Sequence, residues 1–175
     1  YYSRLTKAFI TAISAPMSEG RLYEIDMRLR PSGFQGPVAT SWSSYQNYQK
    51  NEAWVWEHLA LTRARAVAGK SILFKEFEAF RSSLLKSYNR KNIFSELVNM
   101  RTRIFQAKPL NPWDAKIGPG RLQDIDLLSQ AGCLTGRSVS RSTVAGLEAL
   151  IIDNFITQKE FFEIKAAATQ LWSWQ

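Results

Sequence analysis

The chain has 175 residues, 45% of them apolar, with 23 Lys and Arg against 15 Asp and Glu for a formal net charge of +8. That length suits one domain, or a small domain with a helical appendage, and the apolar share is enough to bury a core. The lone Cys133 excludes an internal disulfide or a cysteine-built metal cluster, and the lone His58 excludes a multi-histidine site. Oxygen ligands for a hard ion such as magnesium stay open. No apolar run approaches the roughly 20 residues that span a bilayer, and no signal pattern precedes the first amphipathic segment. The expectation is a cytoplasmic protein with no membrane partner. The absence of an initiator Met suggests a chain that begins partway through a larger protein. The positive charge points to an anionic partner: nucleotide phosphates, nucleic acid or an acidic protein face. Its dispersal, without a dense Lys/Arg block, argues against a generic polyanion tail.

Tyr2, Leu5, Phe9 and Ile13 recur at helical spacing and Pro16 closes the segment. From Leu22 to Arg30 the period becomes two, with Tyr23, Ile25, Met27 and Leu29 on one side and Glu24, Asp26, Arg28 and Arg30 on the other. This is the clearest predicted strand, ended by Pro31, Ser32 and Gly33. Ser41 caps a helix expected to continue, with a break, to about Leu61. Its aromatics Trp42, Tyr45, Tyr48, Trp54 and Trp56 are at core-packing spacing. Residues 62–68 alternate again and predict a short second strand.

Helices follow around Phe77, Phe80, Leu84 and Tyr88, and around Ile93, Leu97, Met100 and Ile104, before Pro109 and Pro112 interrupt. Asp124 is placed to start the next helix. Val144, Leu147 and Ile151 share a face behind the cap Ser142, and Thr157 with Glu160 spells a capping box. The pattern is still helical at Trp172 and Trp174, where apolar surface is expected to lie open. The sum is an α+β chain that is predominantly helical, with too few strands to form a sheet alone.

Nucleotidyl transfer needs carboxylates for magnesium and cations for phosphate oxygens. Alternation puts Asp26, Arg28 and Arg30 on one face, and arginine binds phosphate bidentately. Gly33 and Gly36 would let the following loop approach a ligand. The bland alternative is a solvated strand face. Arg63 and Arg65 would join the same pocket if the two strands pair, or else lie on an exposed edge. Lys116 is a candidate phosphate contact. Asp124 and Asp126 are not read as a metal pair, because a helix would splay them about 200° apart; capping suits Asp124 better. His58, with no nucleophile at a recognisable spacing, reads as structural, and Cys133 as an inert buried thiol.

The string Tyr23-Glu24-Ile25-Asp26-Met27-Arg28-Leu29-Arg30-Pro31-Ser32-Gly33 resembles glutamine synthetase adenylyltransferase. So do residues 48–58, with Trp54-Val55-Trp56-Glu57-His58, and residues 60–69. The Trp-x-Trp-Glu-His form resembles the C-terminal, adenylylating half of that two-headed enzyme. The resemblance implies a partial polymerase-β-like nucleotidyltransferase domain over residues 1–70 and a helical bundle over 71–175, with 114–130 a loop returning toward the active site. It implies ATP as substrate, Mg2+ as cofactor, and glutamine synthetase and a PII signal protein as partners, with no nucleic acid. Asp26 matches the third metal-site carboxylate of the family, and Arg28 and Arg30 the basic residues beside it. The family's Gly-Ser-x-Asp-x-Asp motif is absent from these residues, so the chain alone is expected to be inactive. The stretch from Lys116 through Asp126 resembles the family's Lys-x-x-Pro-Gly-Gly-Leu-x-Asp-Ile-Glu-Phe segment, which returns toward the active site, but departs from it at Arg121, Asp126 and Leu127. Two alternatives stay open: a related enzyme such as PII uridylyltransferase, and a non-catalytic basic module binding RNA or an acidic protein.

Overall fold

The computed structural model describes residues 1–88, 90–107, 111–135 and 138–174. Its α-helices are Tyr2–Ser14 (α1), Trp42–Asn51 (α2), Val55–Leu61 (α3), Ser71–Lys86 (α4), Arg90–Ala107 (α5), Leu122–Leu134 (α6), Thr143–Ile152 (α7) and Gln158–Ser173 (α8). The chain forms two compact units, Tyr1–Ala53 and Trp54–Gln175. The helical character expected from the 3.6-residue period is present. The interruption expected at Pro109 falls outside the described residues.

The two predicted strands do not form. Among the described residues the β pairing is limited to one bridge, between Met17 and Gly20. A strand is stable only when a neighbour takes up its backbone groups, and no neighbour does so here. In residues 22–27 the Tyr23 amide donates to Ile13 O at 3.3 Å, and the pattern ends where Arg30 N turns back to Met27 O. Residues 62–64 instead continue from α3 as a turn, with Arg63 N on Ala60 O and Ala64 N on Leu61 O.

Helix ends follow the cap chemistry. Ser41 Oγ accepts from Ser44 N at 3.2 Å. The expected break comes after Asn51, and Glu57 restarts the helix by accepting from Trp54 N at 3.1 Å. Thr157 and Glu160 form the reciprocal box, Oγ1 accepting from Glu160 N and Oε2 from Thr157 N. Those bonds hold the exposed Glu160 carboxyl below its ordinary range. Helix α6 begins two residues before Asp124, with Arg121 at the cap position and no side-chain cap bond, so Asp124 does not cap the helix as expected; its carboxylate reaches back and accepts from Gly120 N at 2.9 Å.

The second unit is built around α6. Leu122, Ile125, Leu127, Ser129 and the whole run from Ala131 to Leu134 are buried, so this helix packs on more than one face. Leu127, Ala131 and Leu134 join Leu59, Leu85 and Ile93, whereas Ile125 joins Leu147, Leu150, Phe161 and Ala168 on the other side. Against α7 the approach is closer than side chains allow. A Cβ on Gly132 would overlap Gly146 O, and one on Gly146 would overlap Ser129 O and Oγ. Ser129 Oγ donates across this crossing to Thr143 O at 2.9 Å.

In the first unit Gln49 is the buried residue, and the apolar face of α1 lies open, with Tyr2, Leu5 and Phe9 more than half exposed. Core packing also fails for two of the expected aromatics: Trp54 is 68% and Trp56 39% exposed. Short α3 turns Glu57, His58, Leu59 and Leu61 inward, which leaves the tryptophans outside. Trp42 and Tyr45 are half-buried and stack with centroids 5.6 Å apart. Trp172 and Trp174 are exposed, as expected.

The α6–α7 crossing supplies a test. Alanine gains about 1 kcal/mol over glycine in helix propensity, but here its methyl meets backbone that cannot step aside. Overpacking costs about 1–3 kcal/mol and sets the sign. Gly132→Ala and Gly146→Ala each lower the urea midpoint, whereas a gain in stability from either would show that the crossing is not close-packed.

Candidate functional site

In the first unit Asp26 and Arg28 form one ion pair. Arg28 Nε lies 2.9 and 2.8 Å from the two carboxylate oxygens, Nη2 lies 2.5 Å from Oδ2, and the Arg28 amide adds a bond of 2.9 Å. The pair arises because the chain turns at Arg28 and folds the guanidinium back two residues. Both side chains are exposed. The hydrogen bonds from Arg28 hold the Asp26 carboxyl down to about 2, and Asp26 in return raises the guanidinium. Asp26 is therefore a permanently ionised, acceptor-only group.

Arg30 is not aligned with this pair. Its guanidinium enters the loop that follows and donates to Gly36 O, Met27 O and Phe34 O at 3.0–3.2 Å. Ser32 and Gly33 pass through left-handed backbone, φ 59° and 53°. Gly36 is needed by the loop itself, since a Cβ there would overlap Pro31 O. Between this loop and α2 runs an open groove of about 450 Å³, walled by Pro31, Ser32, Ser44, Asn47, Tyr48 and Glu52. It has hydroxyls and a carboxylate but no cation in its wall, so it is not built for phosphate.

In the second unit Arg63 and Arg65 fare differently. Arg63 donates to Asp126 Oδ1 at 3.1 Å, to Thr143 Oγ1 at 2.9 Å and to Arg141 O. Arg65 is exposed and carries no side-chain bond among the described residues. Between and before them, the carbonyls are met by arginines that sequence reasoning missed. Arg81, 1% exposed, donates to Leu61 O at 2.9 Å, to Thr62 O and to Val139 O at 2.9 Å. Arg141 donates to Ala64 O at 2.6 Å and to Glu78. Burying a charge costs on the order of several kcal/mol, and hydrogen bonds to charged groups return about 1.5–3 kcal/mol each. Three carbonyls, with Glu78 at 3.6 Å, can therefore offset the burial of Arg81. The signal was Arg81 lying four residues from both Phe77 and Leu85, inside the apolar stripe of α4.

Lys116 is exposed on a loop that runs into α6. The loop is closed on itself. Asp114 accepts from Lys116 N and Ile117 N, and Arg121 donates to Asn111 O, Pro112 O, Asp114 O and Ile117 O. Gly118 leaves the space that the Arg121 side chain fills. Asp124 faces Arg101 on α5 at 2.9 Å, whereas Asp126 faces Arg63, so the two carboxylates serve different neighbours. His58 is buried, with Nδ1 against the Tyr88 hydroxyl. Burial, and the nearby charge of Glu57, push that phenol up to about 12, so Tyr88 stays neutral beside the ring. Cys133 is buried, its thiol raised by burial and directed at Ser140 O.

No group of three His, Cys, Asp or Glu that could hold a metal occurs among the described residues, so Asp26 offers one carboxylate to a cation. No helix of the described residues is long and apolar enough to cross a membrane.

Residues 1–80 match a model of adenylyl-group transferases, the family described as glutamate-ammonia ligase adenylyltransferase. Among curated relatives, the chain is similar to three called bifunctional glutamine synthetase adenylyltransferase/adenylyl-removing enzyme. Identity is 45% for that of Mesorhizobium japonicum, over 78% of this chain. It is 47% for that of Rhizobium meliloti, over 74%, and 41% for that of Agrobacterium fabrum, over 86%. The chain belongs to the glutamate-ammonia ligase adenylyltransferase family. The aligned segment is 14%, 13% and 16% of the length of those relatives, respectively. The comparisons favour this family over the two alternatives that the residues left open.

The Asp26–Arg28 pair makes a pH prediction. An ordinary aspartate titrates near 3.9, above the folded value of about 2. The pair's contribution to folding is therefore complete above about pH 4 and is lost as the pH falls through 2. Carboxyl-carbon NMR of Asp26 gives a midpoint near 2, and Arg28→Met returns it to the ordinary range. An unchanged midpoint in that variant would remove Arg28 as the cause.

Proposed function

We propose that the chain is part of an ATP-dependent adenylyltransferase that transfers AMP to a tyrosine of glutamine synthetase in the bacterial cytoplasm. The observation that carries this reading is the 41–47% identity to adenylyltransferases over most of the chain. In this reading residues 1–70 belong to a polymerase-β-like nucleotidyltransferase domain of the adenylylating half. Residues 71–175 form its helical partner, with 114–130 returning toward the active site. A PII signal protein is the regulatory partner, and neither nucleic acid nor membrane is one.

In the transfer, the tyrosine oxygen attacks the α-phosphorus of ATP as its hydroxyl proton passes to solvent, the bond to the bridging oxygen of the β-phosphate breaks, and pyrophosphate leaves with that electron pair. Mg2+, when bound, neutralises phosphate charge. Asp26 fits as one oxygen ligand, since it is exposed and ionised at any working pH. In this role the exposed, ionised Asp26 would ligate the cation and orient the tyrosine hydroxyl. Were a cation to take the Asp26 carboxylate, Arg28 would be free to meet phosphate oxygens. Arg30 and Gly33 shape the loop beside it. In the second unit Arg65 and Lys116, both exposed, are the cations that would meet nucleotide, whereas Arg63, expected beside them, is bonded to Asp126, Thr143 and Arg141 O.

One carboxylate cannot hold a metal pair. With ATP, Mg2+ and glutamine synthetase, the purified 175-residue chain transfers no labelled AMP; detectable transfer would overturn the one-carboxylate reading. In the intact polypeptide that contains these residues, Asp26→Asn lowers transfer at least about 100-fold while helical circular dichroism is retained. Full activity in that variant would remove Asp26 from the site.

A further inference from the structure

The cations of the second unit are not equivalent, and the difference lies in what holds the segment that bears them. Between Leu61 and Arg65 the backbone carbonyls at 61 and 62 are bonded by Arg81 and that at 64 by Arg141. Arg63 is bonded to Asp126, Thr143 and Arg141 O. The segment is thus tied to α4, to α6 and to the stretch entering α7. Arg65 extends from it into solvent with no side-chain bond among the described residues. The cluster is also unbalanced. Arg63, Arg81 and Arg141 share two carboxylates, Glu78 and Asp126, and Arg65 adds an unpaired positive charge on the same segment.

An exposed arginine on a mobile loop gives up conformational entropy when it binds, whereas one on a fixed backbone gives up less. A planar guanidinium, free at its tip and borne on such a backbone, can meet a phosphate group bidentately. We infer that Arg65 is an anion-binding residue for a phosphate chain, with Arg81 a positioning residue that acts through it and Arg63 a tie that holds the segment. The identity of the ligand as a nucleotide rests on the function proposed above; the anion site itself does not.

The 175-residue chain is titrated with inorganic triphosphate and with ATP by calorimetry at low salt. Triphosphate binds, Arg65→Ala weakens it at least tenfold with the melting temperature unchanged, and Arg65→Lys recovers part of the loss. Arg81→Lys, measured well below its melting midpoint and with helical circular dichroism retained, also weakens binding. The double variant binds no worse than Arg65→Ala alone, because Arg81 acts through Arg65; a general structural effect would add to it. If Arg81→Lys does not fold, Arg65→Ala still decides the anion site. Triphosphate binding that Arg65→Ala leaves intact overturns the inference, even if ATP binds. Loss of binding in Arg65→Ala with no preference for ATP over triphosphate supports the anion site and counts against the nucleotide reading. No binding of either compound by the parent chain overturns the anion site, and the AMP-transfer assay then stands alone for the first unit.

Discussion

A carbonyl oxygen that leaves a helix or lacks a strand partner must find a donor, and in this protein arginine guanidiniums are repeatedly that donor. Arg81 and Arg141 hold the segment after α3, Arg121 holds the loop before α6, and Arg30 holds the loop after Met27. A guanidinium suits this because its five N–H groups lie in one plane and reach several acceptors at once. The device allows a mostly helical protein to carry ordered irregular segments without a sheet. It also changes the meaning of the net charge of +8. Several of the basic residues are internal struts whose charge is spent on backbone dipoles. The cations open to a partner are fewer than the composition suggests.

The helices were legible because their signals are local. A 3.6-residue apolar period, Ser41 as a cap and the Thr157–Glu160 box each act within a few residues. The strands were not, because alternation records only which side chains face together and says nothing of whether a second strand is present. Residues 62–68 carry the alternation, yet the carbonyls of Thr62 and Ala64 go to side chains from α4 and from the stretch before α7. Trp54 and Trp56 were misjudged for a related reason: helical spacing predicts a shared face but not which face a seven-residue helix turns inward.

The candidate site was legible in composition and not in arrangement. Asp26 and Arg28 were expected side by side along a strand, two separate groups on one face. A turn at Arg28 makes them a chelated pair, and that pairing gives Asp26 its low titration point. Arg30 serves the loop, and Gly36 accommodates Pro31 O. The first unit buries little, with the stripe of α1 open to solvent, while the second packs two apolar clusters around α6. A chain that spans about 14% of a relative's length can thus have a well-cored half and a thinly covered one.

The arginine ties also set an order of events in folding. Arg81 meets a carbonyl 58 residues away, Arg141 one 77 residues away, and Arg63 a hydroxyl 80 residues away. Contacts so distant along the chain close late, because the entropy of the intervening loop is lost before they form. The helices can form from local signals early, but the segment bearing Arg65 takes its final shape only when the stretch entering α7 has docked. On the ribosome, that segment would stay unshaped until nearly eighty further residues had emerged.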